Sequence, residues 1–178
     1  MRKLLEIYPD DAEANLKLGH VYMMGGSSDP RYYEEARKLA ERVLAKDDQS
    51  VQVQALILKG SAMAGLKDLE GARGALEQAR DLEPKNVSAW ISLGSLHMQR
   101  KDLKEAENAF LTARSSDETS TTAVVSLANF YRVAGNSEKA EQIFKDALAR
   151  FPANREIYSQ MSDFYLQRRR FDDAEKVL

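Results

Sequence analysis

Apolar residues recur along this chain three and four positions apart, the spacing that places them on one face of a helix. Trp90, Leu93, Leu96 and His97 share a face of a first helix, and Leu103, Ala106, Phe110 and Ala113 line a second. Gln99-Arg100-Lys101-Asp102 interrupts the pattern between them. No segment alternates as a half-buried strand does, so an all-α chain is expected.

The helix pair repeats. Gly60, Gly94, Ala128 and Ser162 are all small and lie 34 residues apart, and Ala72, Ala106, Ala140 and Ala174 form a second ladder in the same register. Leu76, Phe110, Phe144 and Leu178 make a third, large and apolar, and Ala79, Ala113 and Ala147 a fourth. Pro84 and Pro152 stand two periods apart, with Glu118 in the slot between. A fixed period of this length marks a stack of helix pairs in which each unit buries its apolar side against the next. The first unit carries an insertion: Asn15, Leu18, Gly19 and Tyr22 match Trp90, Leu93, Gly94 and His97, but Gly25-Gly26-Ser27-Ser28-Asp29-Pro30 adds a loop. A smaller insertion lies near Asp47-Asp48-Gln49-Ser50. The expected divisions are 1–11 (the end of a preceding repeat, with Pro9 in the proline slot), 12–52, 53–86, 87–120, 121–154 and a truncated 155–178. That arrangement reads as a segment of a longer array.

Local signals fix the ends of the second helices. Asp68, Asp102 and Asn136 are 34 apart and can cap a first helical turn, and Glu105 completes a capping box with Asp102. Arg170 breaks this ladder, which moves the expected start of the last helix to about Asp172. The small ladders predict close helix crossings, with Gly19, Gly60 and Gly94 facing Ala36, Ala72 and Ala106 while Trp90, Phe110 and Phe144 fill the wider gaps.

Composition narrows the chemistry. The chain has 178 residues, 26 Lys and Arg against 28 Asp and Glu, and a net charge of -2, which argues against a basic nucleic-acid surface or electrostatic capture by an anionic membrane. Its apolar runs are far shorter than the ~20 residues of a membrane span, so no direct membrane insertion is expected. Glu6 and Asp10 interrupt what begins at Met1 like a signal peptide. No cysteine is present, which excludes disulfides and thiolate chemistry but does not choose between cytoplasm and periplasm.

Trp90-x2-Leu93-Gly94-x2-His97, followed by Ala106, Phe110 and Ala113, resembles the tetratricopeptide repeat, and Leu127, Ala128, Tyr131, Ala140, Phe144, Ala147 and Pro152 repeat the likeness. The resemblance covers essentially the whole chain; Lys59, Met63 and His97 depart from the usual leucine and tyrosines. It implies a right-handed superhelical solenoid whose first helices line a concave, partner-binding groove. Mapped onto this chain, the groove residues are Leu16, His20, Met23 and Met24, then Gln54, Ile57 and Ser61, then Ser88, Ile91, Ser95 and Met98. Val125, Asn129 and Arg132 follow, and Asp163 and Leu166 end the row. Leu16, Ile57, Ile91 and Val125 form an apolar stripe that reads either as ligand contact or as packing between neighbouring first helices. The carboxylate clamp of chaperone-binding members has no cation in the matching slots, Leu16, His20, Leu58, Ser88 and Ser92.

The expected function is a scaffold for a protein or peptide segment; the alternative is a spacer or self-assembling element, in a style that resembles bacterial secretion and exopolysaccharide-export arrays. Leu4, Leu5, Ile7, Phe171, Val177 and Leu178 suggest self-association through open ends. No enzyme, cofactor or metal is expected: His20 and His97 lack ligand partners at helical spacing, and Gly71-Ala72-Arg73-Gly74 is no phosphate loop. Asn86-Val87-Ser88 fits a glycosylation sequon, and Arg168-Arg169-Arg170 reads as a solvated turn.

Overall fold

A computed structural model describes residues 10–46 and 48–177, which form ten helices and no strand. They are α1 (Ala12–Gly25), α2 (Arg31–Leu44), α3 (Gln49–Gly65), α4 (Leu69–Leu82) and α5 (Val87–Arg100). α6 (Leu103–Ser116), α7 (Thr121–Val133), α8 (Ser137–Arg150), α9 (Arg155–Gln167) and α10 (Phe171–Val177) complete the array. Odd-numbered helices are the first members of each pair.

Short polar side chains start most of these helices by accepting from orphan amides of the first turn. Asp11 accepts from Ala14, Asp68 from Gly71, Asn86 from Ala89, Ser120 from Ala123 and Asn136 from Lys139. Asp102, expected to cap α6 in a capping box with Glu105, makes no such bond. Its carboxylate instead accepts from Arg100 Nε at 3.0 Å, a charged donor that outcompetes a backbone amide. The last helix begins at Phe171, in register with Leu69, Leu103 and Ser137, rather than at Asp172. α3 begins at Gln49, ahead of the expected division at 53.

The turns inside the pairs share a device. Lys67, Lys101, Gly135 and Arg169 have positive φ, and they are 34 residues apart. In each case the next residue donates back to the carbonyl five before it: Asp68 to Met63, Asp102 to His97, Asn136 to Tyr131 and Arg170 to Tyr165. This is the Schellman closure of the first helix, which favours glycine because a left-handed residue with a Cβ is strained. Only Gly135 meets that preference. The Lys101→Gly variant is therefore expected to gain about 0.5–1 kcal/mol, the left-handed strain removed less the extra chain entropy of glycine. Urea denaturation checks it, and a loss of stability would contradict the assignment.

Successive first helices touch one another along the array, and each second helix touches the first helix of the next pair. Among the described residues no second helix reaches the second helix of the neighbouring pair. The stack therefore bends toward its first helices, which form the concave side. Between the layers lie four apolar clusters along the array. The C-terminal cluster joins Phe110, Phe130, Phe144 and Phe164, with Phe144–Phe164 centroids 5.8 Å apart and Phe110–Phe130 5.5 Å.

The small ladders pack only in part as expected. A Cβ on Gly94 would meet the Phe110 ring at 2.9 Å, and one on Gly60 would meet Leu76 at 2.6 Å and the Ala72 carbonyl at 3.1 Å. Gly94 thus faces the bulky residue itself and not Ala106, whereas Gly60 meets both Leu76 and the backbone of Ala72, the alanine expected there. In the first pair the bulky slot is Ala40, and Gly19 packs against Leu58 of the following helix. Trp90 is only half-buried; its Nε1 donates to the Pro84 carbonyl at 2.8 Å. Phe171 is exposed, whereas Leu4, Leu5, Ile7 and Leu178, and with them Met1–Pro9, lie outside the described residues.

Candidate functional site

The concave side is built by one face of α1, α3, α5, α7 and α9. Burial divides its expected members. Leu16, Ile57 and Val125 are buried at 8%, 9% and 8% exposure, and Ile91 is half-buried against the C-terminal core. The apolar stripe is thereby taken up in the contacts of the helix stack, and a partner would meet little of it. His20, Met24, Gln54, Ser88, Ser95, Asp163 and Leu166 are exposed; Met23, Ser61, Met98, Asn129 and Arg132 are half-exposed.

What remains accessible is a band of short polar side chains. His20, Gln54, Ser61, Ser88, Ser95 and Asp163 have no hydrogen bond or ion pair to any described residue. The second helices present the opposite chemistry. Arg37 bridges Glu34 and Glu41, Lys38 meets Glu35, Arg73 meets Glu70 and Lys145 meets Glu141, a surface whose charges satisfy one another. Of the polar residues expected in the groove, Asn129 and Arg132 are engaged within the chain. Arg132 Nε donates to Asn129 Oδ1 at 3.1 Å and its Nη1 to Gln167 Oε1 at 2.9 Å, joining α7 to α9.

The joints between pairs hold a polar feature that the repeat pattern does not foretell. Tyr131 donates to Glu107 Oε1 at 2.5 Å, and one period later Tyr165 donates to Glu141 Oε1 at 3.1 Å. Each links a first helix to the second helix before it. A cation completes each rung: Lys139 lies over the Tyr131 ring and Arg170 over the Tyr165 ring. Burial, reinforced by the glutamate, pushes both tyrosines up to about 12. The Arg170 guanidinium, against some opposition from burial, holds Glu141 down to about 2.

Arg168 stacks on Phe164 and donates to Ser137, while Arg170 pairs with Glu141 and Asp173. The triple arginine is the exposed turn expected at Arg169 and Arg170, but Arg168 and Arg170 also tie the last two pairs together.

Glu141 carries a pH dependence whose sign is fixed. Its folded value lies below the ordinary 4.5, so its contribution is fully present above pH 4.5 and is lost as pH falls through 4.5 toward 2. Its side chain is 18% exposed but Arg170 is 41% exposed, so solvent screening leaves about 1–2 kcal/mol of the Glu141 contribution. The Glu141→Gln variant should be less stable than the parent by that amount at pH 7 and indistinguishable from it near pH 2. A constant difference across a pH series of urea melts would contradict the assignment.

His97 occupies the slot of these tyrosines one period earlier. It is half-buried, and its Nδ1 is the one buried side-chain polar atom without a hydrogen bond among the described residues, 3.7 Å from Asp102 Oδ2. No group of His, Cys, Asp or Glu among the described residues could hold a metal ion. No described helix is long and apolar enough to cross a membrane. Asn86 of the sequon uses both ends of its amide, capping α5 and donating to Glu83 Oε2 at 2.7 Å.

Comparison with known proteins agrees with this architecture. Family models described as tetratricopeptide repeat match residues 31–77, 63–129 and 131–178. No curated protein sequence matches. Among solved structures, a thermophilic TPR protein of Thermus thermophilus is 21% identical, with 93% of this chain and 87% of that one covered at a TM-score of 0.72. PilW, a widely conserved type IV pilus biogenesis factor, is 22% identical over 89% of this chain and 70% of its own, with a TM-score of 0.65. A structure of Naa15/Naa10 bound to HypK-THB is 19% identical, covering 92% of this chain and 24% of that one, with a TM-score of 0.61. These likenesses establish an all-α, right-handed superhelical solenoid.

Proposed function

We propose that this chain, which belongs to the tetratricopeptide repeat family, holds a peptide or protein segment in the groove lined by its first helices. The family's fold is typical of protein–protein interaction scaffolds, and its repeats are in general non-catalytic. The observation that carries the finer reading is the band of accessible polar side chains without intramolecular partners, Gln54, Ser61, Ser88 and Ser95, on the concave side of the array. Extended solenoids use their curvature to bind along such surfaces. Hydroxyl and amide groups without partners can pair with the backbone of an extended segment. Met24 and Leu166, exposed at 83% and 46%, supply apolar contacts toward the two ends. The convex side, laced with ion pairs, offers a partner fewer open donors and acceptors.

The test is affinity capture from source lysate with two charge-matched variants. Gln54→Glu/Ser95→Glu alters exposed positions on α3 and α5; Gln78→Glu/Asn108→Glu makes the same change at exposed positions on α4 and α6. Both should keep their thermal midpoints, since isolated surface changes usually fall within about 0.5 kcal/mol. A partner retained by the parent and the α4/α6 variant, but lost by the α3/α5 variant, is expected. If both variants capture the same proteins as the parent, or only further copies of this chain, the groove reading fails and the spacer reading takes its place.

A further inference from the structure

We propose that Arg132 reads a carboxylate on the bound segment, so that the groove selects an acidic side chain or a free C-terminus near the seam between α7 and α9. This inference rests on the groove reading above. Arg132 is the only lysine or arginine among the groove positions. The other first-helix cations whose head groups are engaged meet carboxylates: Lys17 with Glu13, Lys59 with Glu41, Arg100 with Glu70 and Asp102.

Arg132 meets none. Its two hydrogen bonds go to neutral amide oxygens, Asn129 Oδ1 on its own helix and Gln167 Oε1 on α9. Asn129 is itself held, its Nδ2 donating to Gln160 Oε1 at 3.5 Å. These contacts fix the guanidinium in position without neutralising it. A guanidinium has five N–H donors in a planar fork, so three remain after Asn129 and Gln167 take theirs. A positioned fork whose charge has no counter-charge among the described residues is an arrangement in which a carboxylate gains, because a charge-assisted pair supplies the missing counter-charge.

Asp163 sets the selectivity. It lies on α9 between Gln160 and Gln167, is exposed, and forms no ion pair with Arg132. Its carboxylate opposes an incoming anion through space, so the pair tunes how strongly the groove prefers one. The site differs from the chaperone-type clamp, whose slots on α1, α3 and α5 hold no lysine or arginine here.

The experiment uses three pools of short degenerate peptides in a fluorescence-anisotropy titration: an amidated pool with one fixed Glu, the same pool with Gln, and the Gln pool with a free C-terminal acid. The Glu pool, the free-acid pool or both should bind the parent about tenfold more tightly than the amidated Gln pool; which of them does identifies the carboxylate's source. That preference should vanish in Arg132→Gln, weaken in Arg132→Lys, which keeps the charge but not the fork, and increase in Asp163→Asn. The last variant leaves the Arg132 contacts intact, so it reads the proposal even if Arg132→Gln loosens the seam. Equal binding of all pools, a preference that survives Arg132→Gln, or a preference lowered by Asp163→Asn overturns the carboxylate assignment and leaves the groove reading standing. Binding of no pool overturns both.

Discussion

Replacing Phe144 by alanine is expected to remove about 3–5 kcal/mol of stability, because the ring is fully buried and its loss opens a cavity in the core. Phe144 sits on α8 against Phe164 of α9, where the fourth and fifth pairs join. In a solenoid each unit contacts only its neighbours, so the damage should stay local. Hydrogen exchange of the variant should therefore show α8, α9 and α10 opening well before α1 to α4. Urea denaturation gives the magnitude. A loss under about 1 kcal/mol, or exchange accelerated evenly along the chain, would contradict the packing described.

The opposite error, too much volume, is expected from Ala106→Leu. Ala106 is fully buried in the same core as Phe110, on the helix that α5 crosses closely enough for Gly94 to touch the Phe110 ring. Added methylenes must displace that ring or separate the helices, at a cost of about 1–3 kcal/mol. Leu103→Ala on the same helix is the control: Leu103 is 49% exposed, and its loss should change stability by about 0.5 kcal/mol or less. An Ala106→Leu thermal midpoint equal to the parent's would contradict the register of the alanine ladder.

The repeat period was legible because it is written in local spacing. Ala72, Ala106, Ala140 and Ala174 are each buried beneath a neighbouring helix, and only a small side chain fits there. The caps at Asp68 and Asn136 were legible for the same reason, since a cap joins residues three apart. Features that depend on a neighbouring unit were not. Glu107 and Tyr131 are 24 residues apart, and neither is unusual on a helix surface until stacking brings them together. Asp102 has every local qualification as a cap, yet Arg100 occupies it. Ala40 replaces the bulky residue of later repeats, which turned Gly19 toward Leu58. Lys67, Lys101 and Arg169 gave no signal of a left-handed turn, because the closure of the first helix tolerates the strain.

The exposure of the expected groove residues was half legible. Their expected places on the first helices follow from the period, but how far each first helix covers the next depends on curvature. That curvature buries Leu16, Ile57 and Val125 and leaves the polar positions accessible. That Asn129 and Gln167 hold Arg132 without a carboxylate required the packed structure.

The most direct measurement is site-specific photo-cross-linking with the partner captured by the parent chain. A cross-linking residue is placed at Ser95 on α5 in one variant and at Asn108 on α6 in another, both exposed positions. Cross-linking to the partner from Ser95 and not from Asn108 is the predicted result. Cross-linking from Asn108 alone, or equally from both, would contradict a partner seated along the first helices.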